Sequence, residues 1–295
     1  MQAKHPNFFI LGAPKCGTTS MDMWLASNSA IFMAKKEPHY FNTDHSDRST
    51  PQLEKYQALF ADVTDAHTII GETSVRYLYS QDAVANILAY APEAKFMVML
   101  RNPIDMAYSW HNQLCFETME NVKNFETAWS LQSQRKLGKH IPKYCAEAKM
   151  LQYGDVCCLG AQLQRLYQLV PPERVHLVLF DDLLENPKLT YQSVLNFLGV
   201  ADDGKQDFPH LNAAKTQHIF WLRAFIDLLT RLKNKLTGKK IGLERIVGLV
   251  MEKNKKIKQR PPLSPKMRQT LIEYFADDVQ LLETLIKRDL SHWLK

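Results

Sequence analysis

Residues 8–20 constrain the fold of this 295-residue chain more than any other segment. Phe8-Phe9-Ile10-Leu11 is an unbroken apolar run, the pattern of a strand buried on both faces. It ends in Gly12-Ala13-Pro14-Lys15-Cys16-Gly17 and passes directly into a helical pattern over 19–28, with Met23 and Trp24 expected inward. Strand, glycine-containing turn and helix in that order open an α/β sheet protein. Further apolar runs at 31–33, 68–70, 96–100 and 175–180 alternate with helical stretches near 81–90, 103–118, 124–136, 155–169 and 187–198. The expected fold is therefore α/β, a central and mostly parallel sheet flanked by helices.

Asn102-Pro103 and Asn186-Pro187 each pair an N-cap with a proline in the first turn, a common helix start. Beyond about residue 200 the strand signal ends; helical patterns remain and close with 264–286, after Pro261-Pro262. With 45% hydrophobic and 23% charged residues, the chain has enough apolar material for one large core. A single domain over 1–295 is expected, with an α/β core at 6–200 and a mainly helical extension at 205–295. No stretch approaches the roughly 20 apolar residues of a membrane span. The N-terminus shows neither a basic leader nor a cleavage site, so the expectation is a cytoplasmic protein without a transmembrane segment. The five cysteines, Cys16, Cys115, Cys145, Cys157 and Cys158, are odd in number and lack zinc-site spacing, which fits a reducing compartment. Cys157 and Cys158 are expected within a helix core. A net charge of +6 is too small in a chain this long to imply a nucleic-acid partner. Eleven of the basic residues fall within 231–260, as a solvated helical face with a loop or as an anion-binding surface.

Gly12 and Gly17 have the spacing of a nucleotide-triphosphate P-loop, but Thr18 follows Gly17 and the lysine comes earlier, at Lys15. Main-chain amides around 16–19, the helix N-terminus and the hydroxyls of Thr18, Thr19 and Ser20 suit a dianionic phosphate. The plain alternative is a tight strand-to-helix turn capped by Thr or Ser. A nucleotide triphosphatase also needs magnesium, held by a carboxylate at the end of a neighbouring strand. The run at 96–100 ends instead in Arg101, which repels a metal and attracts an anion. The stretch from Arg101 through Asn102-Pro103 to Ser109 then sets a guanidinium at the strand end and a hydroxyl two turns into the next helix, both within reach of one phosphate.

These residues carry a resemblance. Pro14-Lys15-Cys16-Gly17-Thr18-Thr19-Ser20 resembles the 5'-phosphosulfate loop of sulfotransferases that use 3'-phosphoadenosine-5'-phosphosulfate (PAPS), and 101–109 resembles their 3'-phosphate motif. The resemblance implies a P-loop-containing nucleoside triphosphate hydrolase-like fold, PAPS as donor, adenosine 3',5'-bisphosphate (PAP) as product, and no metal. It assigns Lys15, Cys16, Gly17, Thr18, Thr19 and Ser20 to the 5' side and Arg101 and Ser109 to the 3'-phosphate. Lys36-Glu37-Pro38-His39-Tyr40-Phe41 is similar to a motif of the heparan-sulfate branch whose glutamate is the catalytic base. Gly71-Glu72-Thr73-Ser74 with Tyr77, and the stretch 177–187, point to the same branch; 260–264 and 289–293 resemble its bacterial members. Asn42 departs from it, standing where glycan enzymes commonly carry aspartate. The basic loop those enzymes use near the C-terminus is also not matched, and Lys215 or the lysines at 253–258 are candidates to replace it.

On that resemblance the chain transfers a sulfuryl group to a hydroxyl or amine of a small-molecule, lipid or carbohydrate acceptor, with a homodimer left open. Glu37 removes the acceptor's proton, Lys15 neutralises the oxygen that leaves with the nucleotide, and His39 orients Glu37 or the acceptor. Were residues 37–39 a strand, Glu37 and His39 would share a face. Taken singly, Glu37 is a solvated carboxylate, His39 a satisfied histidine and Glu72 the partner of a nearby Arg or Lys. Cys16 is either structural or an oxidation-sensitive thiol. The competing functions are a magnesium-dependent kinase or nucleotide triphosphatase on the same loop, and a polyanion-binding module working through 231–260.

Overall fold

β1 (Phe8–Gly12) lies at the middle of a five-stranded sheet. In the computed structural model, which describes residues 5–35, 37–209, 215–217, 255–257 and 261–295, it is joined by β2 (Ile31–Met33), β3 (Ile69–Thr73), β4 (Lys95–Leu100) and β5 (Val175–Leu179) in the order β2-β3-β1-β4-β5. Every pairing in this sheet is parallel. A central strand paired on both edges and covered on both faces leaves no place for a polar side chain, and Phe8, Phe9, Ile10 and Leu11 are fully buried. After β1 the chain runs out to β2 and back through β3, then crosses to β4 on the other side of β1. That reversal creates a crevice at the carboxyl ends of β1, β3 and β4, where open α/β sheets bind ligands.

The helices are α1 (Thr18–Ala26), α2 (Leu53–Gln57), α3 (Ala83–Tyr90), α4 (Pro103–Phe116), α5 (Phe125–Ser130), α6 (Gln132–Lys136), α7 (Tyr153–Cys157), α8 (Leu159–Leu169), α9 (Phe180–Glu185), α10 (Pro187–Leu198) and α11 (Pro265–Ile286). α4 starts as its sequence suggests: Asn102 accepts the Ile104 N–H at 2.9 Å, and its side-chain amide donates to the Trp293 carbonyl at 3.0 Å. Asn186 makes no side-chain cap, so the likeness of the two starts stops at proline. Within α1 the buried apolar residues are Met21, Trp24 and Leu25, with Met23 only half-buried, because the helical repeat places Trp24's neighbour at i−3 rather than i−1.

The stretch 124–136 divides at Leu131 into α5 and α6, which turns Arg135 inward onto Glu120 in a buried bidentate pair at 2.5 and 2.9 Å. The stretch 155–169 divides at Cys158. Asp278 of α11 reaches across to accept the N–H groups of Gly160 and Ala161 at 2.9 and 2.8 Å, serving the first turn of α8. Cys157 is accordingly core, while Cys158 sits half-buried at the joint.

The chain divides into two compact units, residues 1–211 with 263–295, and residues 212–262. In the second unit β6 (Lys215–Gln217) pairs antiparallel with β7 (Lys255–Ile257), which corrects the expectation that strands end near residue 200. Three-residue, lysine-rich strands whose partners lie about 40 residues away leave no local period to read. Most of the basic stretch 231–260 lies outside the described residues. Among the described residues, no helix is long and apolar enough to cross a membrane.

Candidate active site

The loop that leaves β1 is shaped by its main chain. Gly12 has φ 125°, and a Cβ there would lie 2.4 Å from the Val75 carbonyl oxygen, so only glycine lets the strand end pass under the β3–α3 connection. Ala13 N–H donates to the Met99 carbonyl at 2.9 Å, tying the loop to β4. Lys15 at φ 66° and Gly17 at φ 87° turn the chain through the left-handed region. A Cβ on Gly17 would meet Leu183 at 2.5 Å and Phe180 at 3.2 Å, because α9 lies over the loop. α1 begins at Thr18 with no side-chain cap, and the N–H groups of Ser20 and Met21 both close on the Gly17 carbonyl. The amides ahead of Ser20 have no acceptor within the helix, and they point from its positive end. A turn capped by its own Thr or Ser is therefore not what forms here, whereas an anion cradle is compatible with it.

Arg101 follows β4 and donates through Nη1 to the Lys15 carbonyl at 2.9 Å, with its guanidinium 4.5 Å from the Phe180 ring centroid. Lys15 in turn donates through Nζ to Gln113 Oε1 of α4 at 2.9 Å. The strand-end arginine and the loop lysine are thus brought together, and Gln113 joins them without any sequence signal of its own. Ser109 is on the buried face of α4, with Met106 and Trp110. Thr18 and Ser20 are buried and Thr19 is exposed. Cys16 is fully buried, its Sγ directed at the Pro14 carbonyl and Met106 Sδ, and burial pushes its thiol up to about 12. An accessible, oxidation-sensitive thiol is thereby ruled out; a ligand at this position meets only the main chain.

Glu37 and His39 follow β2 in a segment that is neither strand nor helix, so strand alternation does not bring them together. A left-handed residue does: His39, at φ 47°, folds its ring back to place Nε2 3.1 Å from Glu37 Oε2. The histidine side chain is 5% exposed and the glutamate side chain 44%, so a buried imidazole holds an accessible carboxylate. Beneath them, His39 N–H donates to Ser74 Oγ at 3.1 Å, and Tyr77 Oη accepts the N–H groups of Tyr40 and Phe41 at 2.9 and 3.2 Å. The segment thus lies on the β3–α3 connection that also covers Gly12.

Two further carboxyls feel the charge of Glu37. Glu72 of β3 is fully buried, and burial pushes its pKa up to about 8, with Glu37 adding to the rise and the nearby Tyr77 and Tyr56 hydroxyls opposing it. Neither of its oxygens is placed for a full hydrogen bond, so Glu72 is no partner of an Arg or Lys, as its type alone suggested. Asp22 of α1 is pushed up to about 6, chiefly by burial, while Thr73 Oγ1 donates to it at 2.5 Å. Sequence reasoning passed over Asp22; its signal was the four-residue step from Thr18, one turn behind the loop.

The family model for the sulfotransferase domain matches residues 5–217, a span that includes the β1–α1 loop, Glu37, His39 and Arg101. The chain belongs to the sulfotransferase domain family. It is 25% identical over 311 residues to the human bifunctional heparan sulfate N-deacetylase/N-sulfotransferase 3, covering 98% of this chain and 31% of that protein. The Xenopus laevis bifunctional heparan sulfate N-deacetylase/N-sulfotransferase 1 is 24% identical over 307 residues, covering 99% and 31%. The chain therefore spans about a third of the length of these curated relatives. The crystal structure of a sulfotransferase from Alicyclobacillus acidocaldarius matches at TM-score 0.74 and 25% identity, over 99% of this chain and 100% of that one. The parallel sheet with its P-loop-like edge, and the likeness to heparan-sulfate-type and bacterial sulfotransferases, agree with the expectations drawn from the sequence.

Proposed function

We propose that this sulfotransferase domain moves a sulfuryl group from PAPS to a hydroxyl or amine of its acceptor, releasing PAP, with Glu37 as general base. The observation that carries it is the accessible Glu37 carboxylate, held by buried His39 and close enough to Asp22 of α1 to raise that group's pKa. The influence on Asp22 supports reading Glu37 as a base near α1, the helix assigned to the cradle. The 5' side fits Lys15, Cys16, Gly17, Thr18, Thr19 and Ser20, since the amides ahead of Ser20 have no acceptor within the helix and point from its positive end. Arg101 fits the 3'-phosphate, with Ser109 of α4 beside it in the assignment.

A carboxylate is too weak a base to strip a free alcohol or ammonium beforehand, so Glu37 takes the proton as the bond to sulfur forms. Lys15 places positive charge at the oxygen that departs with the nucleotide. His39 is a positioning residue for Glu37. Glu72, with its pKa near 8, keeps its proton at neutral pH and spares an anionic donor a second negative charge. Among small-molecule, lipid and carbohydrate acceptors, the names of the relatives support a carbohydrate.

Glu37→Gln tests the assignment with labelled PAPS. Turnover is expected to fall about 10²–10⁴-fold with PAP affinity unchanged. Turnover near that of the parent protein removes Glu37 as the base.

A further inference from the structure

Beyond Glu37 and His39 the same connecting segment carries His45 and Asp47, and Ser46 between them is bound to a stretch 100 residues later in the chain. Ser46 N–H donates to Glu147 Oε2 at 2.7 Å, and Ser46 Oγ reaches the same oxygen at 3.0 Å and the Ala146 carbonyl at 2.8 Å. Lys149 N–H donates to Glu147 Oε1 at 3.0 Å. The Glu147 carboxylate is therefore fixed in orientation. Burial would raise its pKa, but these hydrogen bonds outweigh burial and hold it below the usual carboxylate range.

His45 is 3% exposed, its ring edge-on to Tyr79 at 5.8 Å between centroids, and neither ring nitrogen has a hydrogen-bond partner. Asp44 Oδ2 approaches Nε2 only to 3.7 Å, beyond hydrogen-bond reach. Asp47 gives Oδ2 to Arg76, and its other oxygen, Oδ1, is buried without a partner. One ligand atom each from His45, Asp47 and Glu147 lies within 4.8 Å of the others. Buried polar atoms are normally satisfied, and here two residues with unpartnered buried atoms, His45 and Asp47, stand beside a locked carboxylate. The neighbouring Arg76 guanidinium and the Glu147 amide donors are the kind of outer hydrogen bonds that orient metal ligands.

We propose that His45, Asp47 and Glu147 bind a divalent transition-metal ion of the zinc type, which fastens the segment bearing Glu37 and His39 to the stretch around residue 147. Ligands about 2.0–2.2 Å from zinc lie about 3.3 Å apart in a tetrahedron, so binding would draw these atoms, now within 4.8 Å of one another, closer together. An imidazole among the ligands favours zinc over magnesium or calcium, which take oxygen alone. His45 also lines a cleft of about 320 Å³ together with Asp44, Lys149 and Gln152. The ion has no part in sulfuryl transfer; it is structural.

The test uses tag-free, full-length protein stripped with a chelator, dialysed and titrated with zinc chloride. Calorimetry should give one equivalent bound, and zinc at hundredfold excess over Kd should raise Tm by about 5 °C. His45→Gln and Glu147→Gln should each weaken binding at least about tenfold and abolish the Tm shift, and magnesium should produce neither effect. If a variant fails to fold, Asp47→Asn serves in its place. Absence of zinc binding by folded protein, or equal affinity in parent and variants, overturns the proposal, whether or not PAP binds.

Discussion

The loop after β1 with Arg101, the assigned donor edge, and the segment over 34–52 both leave the carboxyl edge of one sheet but are held in place differently. At the donor edge the main chain decides: two glycines with positive φ, a strand-to-helix step, and an arginine that grips the Lys15 carbonyl. Among the described residues of 34–52 there is neither strand nor helix, and side chains from elsewhere hold them: Tyr77 takes two amides, Arg76 holds Asp47, and Ser80 donates to Asp44. The first kind of site is written in a few consecutive residues. The second depends on partners about 30 to 100 positions away.

The comparison breaks if main-chain changes at the donor edge are tolerated. Gly12→Ala forces a Cβ against the Val75 carbonyl at a left-handed φ, and should cost about 4 kcal/mol in urea unfolding. Glu72→Gln sharpens it from inside the sheet. The carboxyl titrates near 4.5 in the unfolded chain and near 8 when folded, so its contribution to stability is complete below about pH 4.5 and is lost as pH rises through 8. The variant should therefore gain stability over the parent protein between pH 5 and pH 8, by about 3 kcal/mol, read from paired urea curves.

Tyr77→Phe should cost about 2 kcal/mol by orphaning the Tyr40 and Phe41 amides, and should lower kcat while PAP affinity holds; a parallel loss of PAP binding would mean that the two regions are one. Lys149→Ala removes an exposed pair with Asp44, worth about 0.5 kcal/mol or less. It should leave both PAP affinity and turnover unchanged.

The same contrast explains what could be read from the sequence. Runs such as Phe8-Phe9-Ile10-Leu11 identify central strands because nothing polar fits there, and 264–286 shows its cap at Ser264, which accepts the Met267 N–H at 3.1 Å. The loop at 12–20 and Arg101 were legible because their chemistry is local. The break at Cys158 was not, because the acceptor for the α8 amides is Asp278, about 120 residues on. The Glu37–His39 contact does not follow from strand alternation, since a left-handed turn at His39 replaces the strand. Asn42 is fully buried with both side-chain polar atoms unpartnered, and nothing in the structure explains it.

Titration calorimetry of the folded protein with PAP, without added metal, bears most directly on the anion cradle. One site is expected, weakened at least about tenfold by Lys15→Ala and by Arg101→Ala, since each removes a charge-assisted contact. No heat of binding, or affinities indifferent to both substitutions, would contradict the donor site described here.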